Sequence, residues 1–160
     1  MVLVPENMEM LQHHQIFSEA EIRSRYEITM ENYVRTVRIE ALTMADMAKK
    51  EILPAVLRFT GDLASGISEK KKAVAVLPCR AETKLLEKLS GLADEIDAAI
   101  EALEKSIENC GGDITTQAFF IRDELLGKMS ALRALCDRAE TLTAASYWPF
   151  PTYGDLLFGV

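Results

Sequence analysis

Phe17-Ser18-Glu19-Ala20-Glu21-Ile22-Arg23-Ser24-Arg25-Tyr26 opens the longest periodic stretch of the chain, and its reading decides the fold. The Ser18 hydroxyl is placed to accept from the Glu21 amide while the Glu21 carboxylate reaches back to the Ser18 amide, the reciprocal pairing of a capping box. Phe17 and Ile22 flank that cap as a hydrophobic staple. Downstream, Ile22, Tyr26, Met30, Tyr33, Val37, Ala41, Met44 and Ala48 recur at steps of three and four. That spacing keeps one apolar stripe on one side of a helix. Glu19 to Arg23, Glu21 to Arg25 and Glu31 to Arg35 stand four apart with the acid first, each pair worth about 0.2–0.5 kcal/mol to a helix.

Pro54 lacks the amide that would bond to residue 50, and its ring crowds the preceding turn, so a kink is predicted there. The apolar spacing resumes through Leu53, Val56, Leu57, Thr60, Leu63 and Ile67. The reading is one bent helix over about residues 19–65, closed by Gly66 as C-cap and roughly 70 Å long at ~1.5 Å per residue. Residues 67–80 lose the period and read as a connection, with Lys70-Lys71-Lys72 solvating it. A second helix follows from Leu85, Leu89, Leu92, Ile96, Ala99, Leu103 and Ile107, and Gly111-Gly112 ends it. Asp113 or Thr116 caps a third, whose stripe runs through Ala118, Ile121, Leu125, Met129, Leu132, Leu135 or Cys136, Ala139 and Leu142 and stops before Pro149. The predicted class is therefore all-α. Its architecture is an elongated antiparallel bundle, a coiled-coil-like arrangement of three helices.

The end of the chain does not fit a plain bundle. Residues 148–160 hold Trp148, Phe150, Tyr153, Leu157 and Phe158, and Pro149 and Pro151 argue against regular helix, so a non-helical aromatic tail is expected. Each of those side chains gains about 1.5–3 kcal/mol on burial, so the tail should dock. Two destinations stay open: the flank of the bundle itself, or a neighbouring domain or subunit.

Composition narrows function by exclusion. Of 160 residues, 49% are apolar and 27% charged, the mark of one globular unit. Eighteen basic against 25 acidic residues leave a net charge of −7, which gives no overall attraction to nucleic acid or an anionic membrane. Three cysteines (Cys79, Cys110, Cys136) without any C-x-x-C pair fit neither a disulfide framework nor a zinc site, and point to a reducing, cytoplasmic setting. His13 and His14 are adjacent, so on a helix they diverge by about 100° and cannot share a metal. They read as surface residues. Met44 and Met47 read as core filler, and the cysteines as buried, unreactive thiols. No phosphate loop, calcium loop or nucleophile motif is present, so catalytic, cofactor-binding and metal-binding residues are all assigned as none.

Two segments go beyond pattern. Phe17-Ser18-Glu19-Ala20-Glu21-Ile22-Arg23-Ser24-Arg25-Tyr26-Glu27-Ile28, continuing through Arg38-Ile39-Glu40-Ala41 to Ile52-Leu53-Pro54-Ala55-Val56, is the first. Trp148-Pro149-Phe150-Pro151-Thr152-Tyr153-Gly154-Asp155-Leu156-Leu157-Phe158 is the second. Together they resemble the C-terminal helical region of type III glutamine synthetases. The resemblance implies large oligomeric enzymes, double hexameric rings, that join glutamate and ammonia using ATP and magnesium. It implies a catalytic core upstream, so no catalytic residue carries over. Residues 1–16 are then a linker from that catalytic domain, 17–147 the helical bundle and 148–160 an aromatic docking tail. The expected role is non-catalytic packing, assembly or regulation, with the chain's own catalytic domain or neighbouring subunits of a homo-oligomer as partners. The alternative is a free-standing helical adaptor that grips partner proteins through apolar helix faces.

Overall fold

The computed structural model describes residues 3–151 and 153–158, and the described residues are helices joined by short turns. The first rod begins at Ser18. Its hydroxyl accepts from the Glu21 amide while the Glu21 carboxylate accepts from the Ser18 amide at 2.8 Å, the predicted capping box. The Ser18 amide and the Ser18 hydroxyl both donate to the Glu21 carboxylate, and these bonds hold the Glu21 carboxyl below its usual range. Helix α2 (Glu19–Met47) follows, preceded by a short helix α1 (Pro5–His13) that packs on it. Glu19 and Arg23 pair at 2.8 Å, whereas Glu21 is engaged in the cap and Arg25 lies over the Phe17 ring, 4.5 Å from its centroid.

Pro54 leaves its mark upstream of itself. Its missing amide frees the carbonyl of residue 50, and the chain widens into a π-helical turn, Ala48–Ile52, before α3 (Leu53–Ala73) starts with the proline in its first turn. Helix α3 then runs past the expected stop. Gly66 is an interior helical residue with open space around it, and Val74, extended at φ −142° and ψ 102°, ends the helix instead. A glycine stops a helix only where left-handed backbone is adopted, and nothing around Gly66 demands it. Residues 19–73 thus form one rod of about 80 Å at ~1.5 Å per residue. The connection shrinks to residues 74–79. Lys70, Lys71 and Lys72 lie not in a loop but in the last turn of α3, beside its carbonyl ends, where positive charge is favoured.

Helix α4 (Arg80–Asn109) is the second rod. The third joins α5 (Ile114–Phe120), a second π-helical turn (Ile121–Leu125) and α6 (Leu126–Glu140). Asp113, not Thr116, caps it: its carboxylate accepts from the Thr116 amide at 2.8 Å, which holds the Asp113 carboxyl below its ordinary range. Gly112 sits at φ +97° between the two rods, a conformation that a side chain disfavours.

The ion pairs give the directions. Lys49 meets Glu104 and Lys70 meets Glu82, so α4 runs antiparallel to the first rod. Lys128 donates to Ser106 and Arg138 pairs with Glu95, so the third rod runs back along α4. Helix α4 therefore packs against α2, α3 and α6, while α5 leans on α2. The core has a size gradient. Ala41, Ala45, Ala48 and Ala55 on the first rod leave room for Leu89, Ile96, Ile100 and Leu103 of α4, and Ile121, Leu125 and Leu132 close the other side. Each large side chain removed from water contributes about 1.5–3 kcal/mol. Ile22 is buried outside this main cluster.

Candidate docking surface

Helix α6 ends at Glu140, and the chain turns sharply. The Thr143 hydroxyl donates to the Ala139 carbonyl at 2.8 Å, and the Tyr147 and Trp148 amides bond to the carbonyls of Ala144 and Ala145. The Tyr147 phenol then donates to the Asp62 carboxylate on α3, its ring 5.1 Å from that of Phe59. Hydrogen bonding to that carboxylate pushes the phenol above its usual titration range. Tyr147 thus pins the start of the tail across the first rod.

From that anchor the predicted docking residues divide. Trp148 and Phe150 are half-buried and pack against the core cluster. Leu157 and Phe158 do not: they are 71% and 79% exposed. The side chain of Tyr153 lies outside the described part. The tail is also not uniformly irregular as expected, because a helix α7 (Tyr153–Phe158) forms beyond Pro151, where every residue again has an amide to donate. Fold-back accounts for Trp148 and Phe150 and leaves Leu157 and Phe158 uncovered.

The partly docked tail completes one wall of an apolar groove of about 570 Å³. Ile39, Met44 and Met47 form one side, Cys136 the floor and Trp148 and Phe150 the far side. Met47 is therefore not core filler, since it faces the groove and is exposed, while Met44 packs partly against the core. The signal for this wall was in the sequence as Ile39, an apolar residue of α2 off the main stripe and exposed. The rim is acidic. Three carboxylates and one cation line it: Asp137 pairs with Arg133 at 3.7 Å, which leaves the excess with Glu40 and Glu140, neither in an ion pair with a described residue.

The groove's chemistry is that of binding. Burial, with the nearby Asp137 carboxylate, pushes the Cys136 thiol up to about 11, so at neutral pH it is a protonated, weak nucleophile. Cys79 and Cys110 are likewise free and buried. His13 and His14 lie on the surface with rings edge to face at 5.3 Å. Among the described residues no group of three or more His, Cys, Asp or Glu is placed to hold a metal ion. No helix of the described residues is long and apolar enough to cross a membrane.

Comparison with known proteins decides the lineage. The model of the glutamine synthetase C-terminal domain family matches residues 1–71. This chain belongs to that family. A glutamine synthetase of Butyrivibrio fibrisolvens is 32% identical over 97% of the chain, and a type-3 glutamine synthetase of Dictyostelium discoideum is 24% identical over 96%. A glutamine synthetase of Bacteroides fragilis is 22% identical over 89% of the chain. The chain spans only 22%, 22% and 20% of the length of those three relatives. The described residues of this glutamine synthetase C-terminal domain are thus helices and turns, and an apolar groove among them is walled in part by the domain's own tail.

Proposed function

We propose that this domain is the non-catalytic helical module of a cytoplasmic glutamine synthetase, serving assembly by packing against the catalytic domain or a neighbouring subunit of a homo-oligomer. In this reading the parent enzyme ligates glutamate and ammonia, and the upstream part binds the ATP and magnesium. One observation carries it: a groove lined by apolar side chains, with the bare apolar end of α7 beside it, on a chain that spans about a fifth of its relatives. Surface of that kind gains free energy when another protein covers it and offers little to stabilise a developing charge. The free-standing adaptor draws on the same groove, but the relatives' names and lengths favour a module of a larger enzyme.

Two measurements test the proposal. The 160-residue chain is expected to form no glutamine from glutamate, ammonia and ATP, and turnover would overturn its non-catalytic part. In a full-length synthetase carrying this domain, Met47→Asp combined with Leu157→Asp is expected to shift the assembly to smaller species in light scattering. An unchanged mass would remove the assembly role.

A further inference from the structure

The connection between α3 and α4 carries the opposite of what the groove carries. The Leu77 amide bonds to the Val74 carbonyl at 3.1 Å, and this tight turn holds Val76 at its tip, 91% exposed. Val74 and Leu77 are exposed beside it. Immediately before them stand Lys71 and Lys72, both exposed and neither in an ion pair with a described residue, since the nearby Glu82 is taken by Lys70 at 2.7 Å. A basic collar with an apolar tip matches an acidic rim around an apolar floor.

Within one molecule the two cannot meet. The groove's wall on the first rod ends at Ile52, and Val74 lies about 30 Å further along the same continuous helix at ~1.5 Å per residue. Helix α3 is held to α4 over this length, with the Lys70–Glu82 pair at its far end, so it does not fold back. Any loop that enters the groove comes from another molecule.

We infer that the groove walled by α2, α6 and the tail receives the Val74–Leu77 turn of a second copy of this chain, with Lys71 and Lys72 of that copy meeting Glu40 and Glu140 at the rim. The inference deepens the assembly reading and rests on it. Charge complementarity sets the orientation and the salt dependence, and Val76 supplies the apolar contact. Because the loop and the groove are different surfaces, the contact is heterologous and links copies in a fixed direction unless a symmetry axis closes it.

Sedimentation equilibrium of the 160-residue chain, from micromolar to near-millimolar concentration, tests it. The wild-type chain is expected to self-associate, more weakly as salt is raised. Val76→Asp is expected to raise the apparent Kd at least about ten-fold, equivalent to ~1.4 kcal/mol. Lys71→Glu with Lys72→Glu is expected to weaken association similarly, as is Glu40→Lys with Glu140→Lys. Combining all four charge reversals in one chain is expected to restore it, an outcome that mere damage to the fold does not produce. Far-ultraviolet circular dichroism checks that each variant stays helical. A chain that is monomeric throughout the range, or whose association ignores both Val76→Asp and the charge reversals, overturns the inference. The broader assembly reading fails separately, in the full-length mass measurement described above.

Discussion

The two turns that flank α4 are built on opposite principles. Between α4 and α5, Gly112 takes the left-handed backbone at φ +97°, Asp113 caps the next helix, and the surrounding surface is polar. Between α3 and α4, no side chain caps the helix, Cys79 occupies left-handed space at φ 37° without being glycine, and Val74, Val76 and Leu77 face solvent. The first turn satisfies its own backbone and leaves nothing uncovered. The second leaves apolar surface in water beside free lysines. A turn whose only duty is to reverse the chain resembles the first, so the second owes its composition to something outside the hairpin.

Both turns hang on α4, and the largest expected effects come from loosening that rod near each end. Leu89→Ala and Leu103→Ala each empty a fully buried site and are expected to cost about 2–5 kcal/mol in chemical denaturation. A markedly smaller loss at Leu89 would mean that the end bearing the apolar turn is the looser of the two. Next comes Gly112→Ala, which forces a Cβ into left-handed backbone 3.4 Å from the Thr116 side chain. It should cost about 1 kcal/mol or more, and a neutral result would refute the view that this turn depends on its glycine.

The smallest effect is acid-dependent. The Asp113 and Glu21 carboxyls titrate below their ordinary ranges because each accepts backbone amides at a helix start. Their stabilisation is therefore complete above the unfolded carboxylate range and is lost as pH falls through the lowered folded values. Amide exchange at Thr116 and Ser18, corrected for intrinsic rates, should lose protection on acidification before the core does. Caps that hold to the same low pH as the core would contradict the assignment.

Much of this was legible in the residues. Ser18 and Glu21, four-residue apolar steps and Gly111-Gly112 each act within a few positions of themselves, so the three rods and the first helix start could be read directly. The end of α3 could not, because whether Gly66 stops a helix depends on what packs beyond it, and α4 lies alongside through Lys70 and Glu82. The second π-helical turn, Ile121–Leu125, has no proline or glycine to announce it. Met44 and Met47 both read as core filler, yet Met44 packs partly against the core and Met47 is exposed in the groove. Similarly, the tail's aromatics all promised burial, and among those described the bundle's flank took Trp148 and Phe150 and left Phe158 exposed.

By itself, then, the sequence determined the helices, their amphipathic faces and the family, since hydrogen bonding along a helix and the 3.6-residue repeat are local properties of the chain. Which apolar residues are covered was left to the tertiary structure. Coverage depends on where three rods and a tail meet in space, and only that meeting produced the acid-rimmed groove and set it about 30 Å along a rigid rod from the basic, apolar turn.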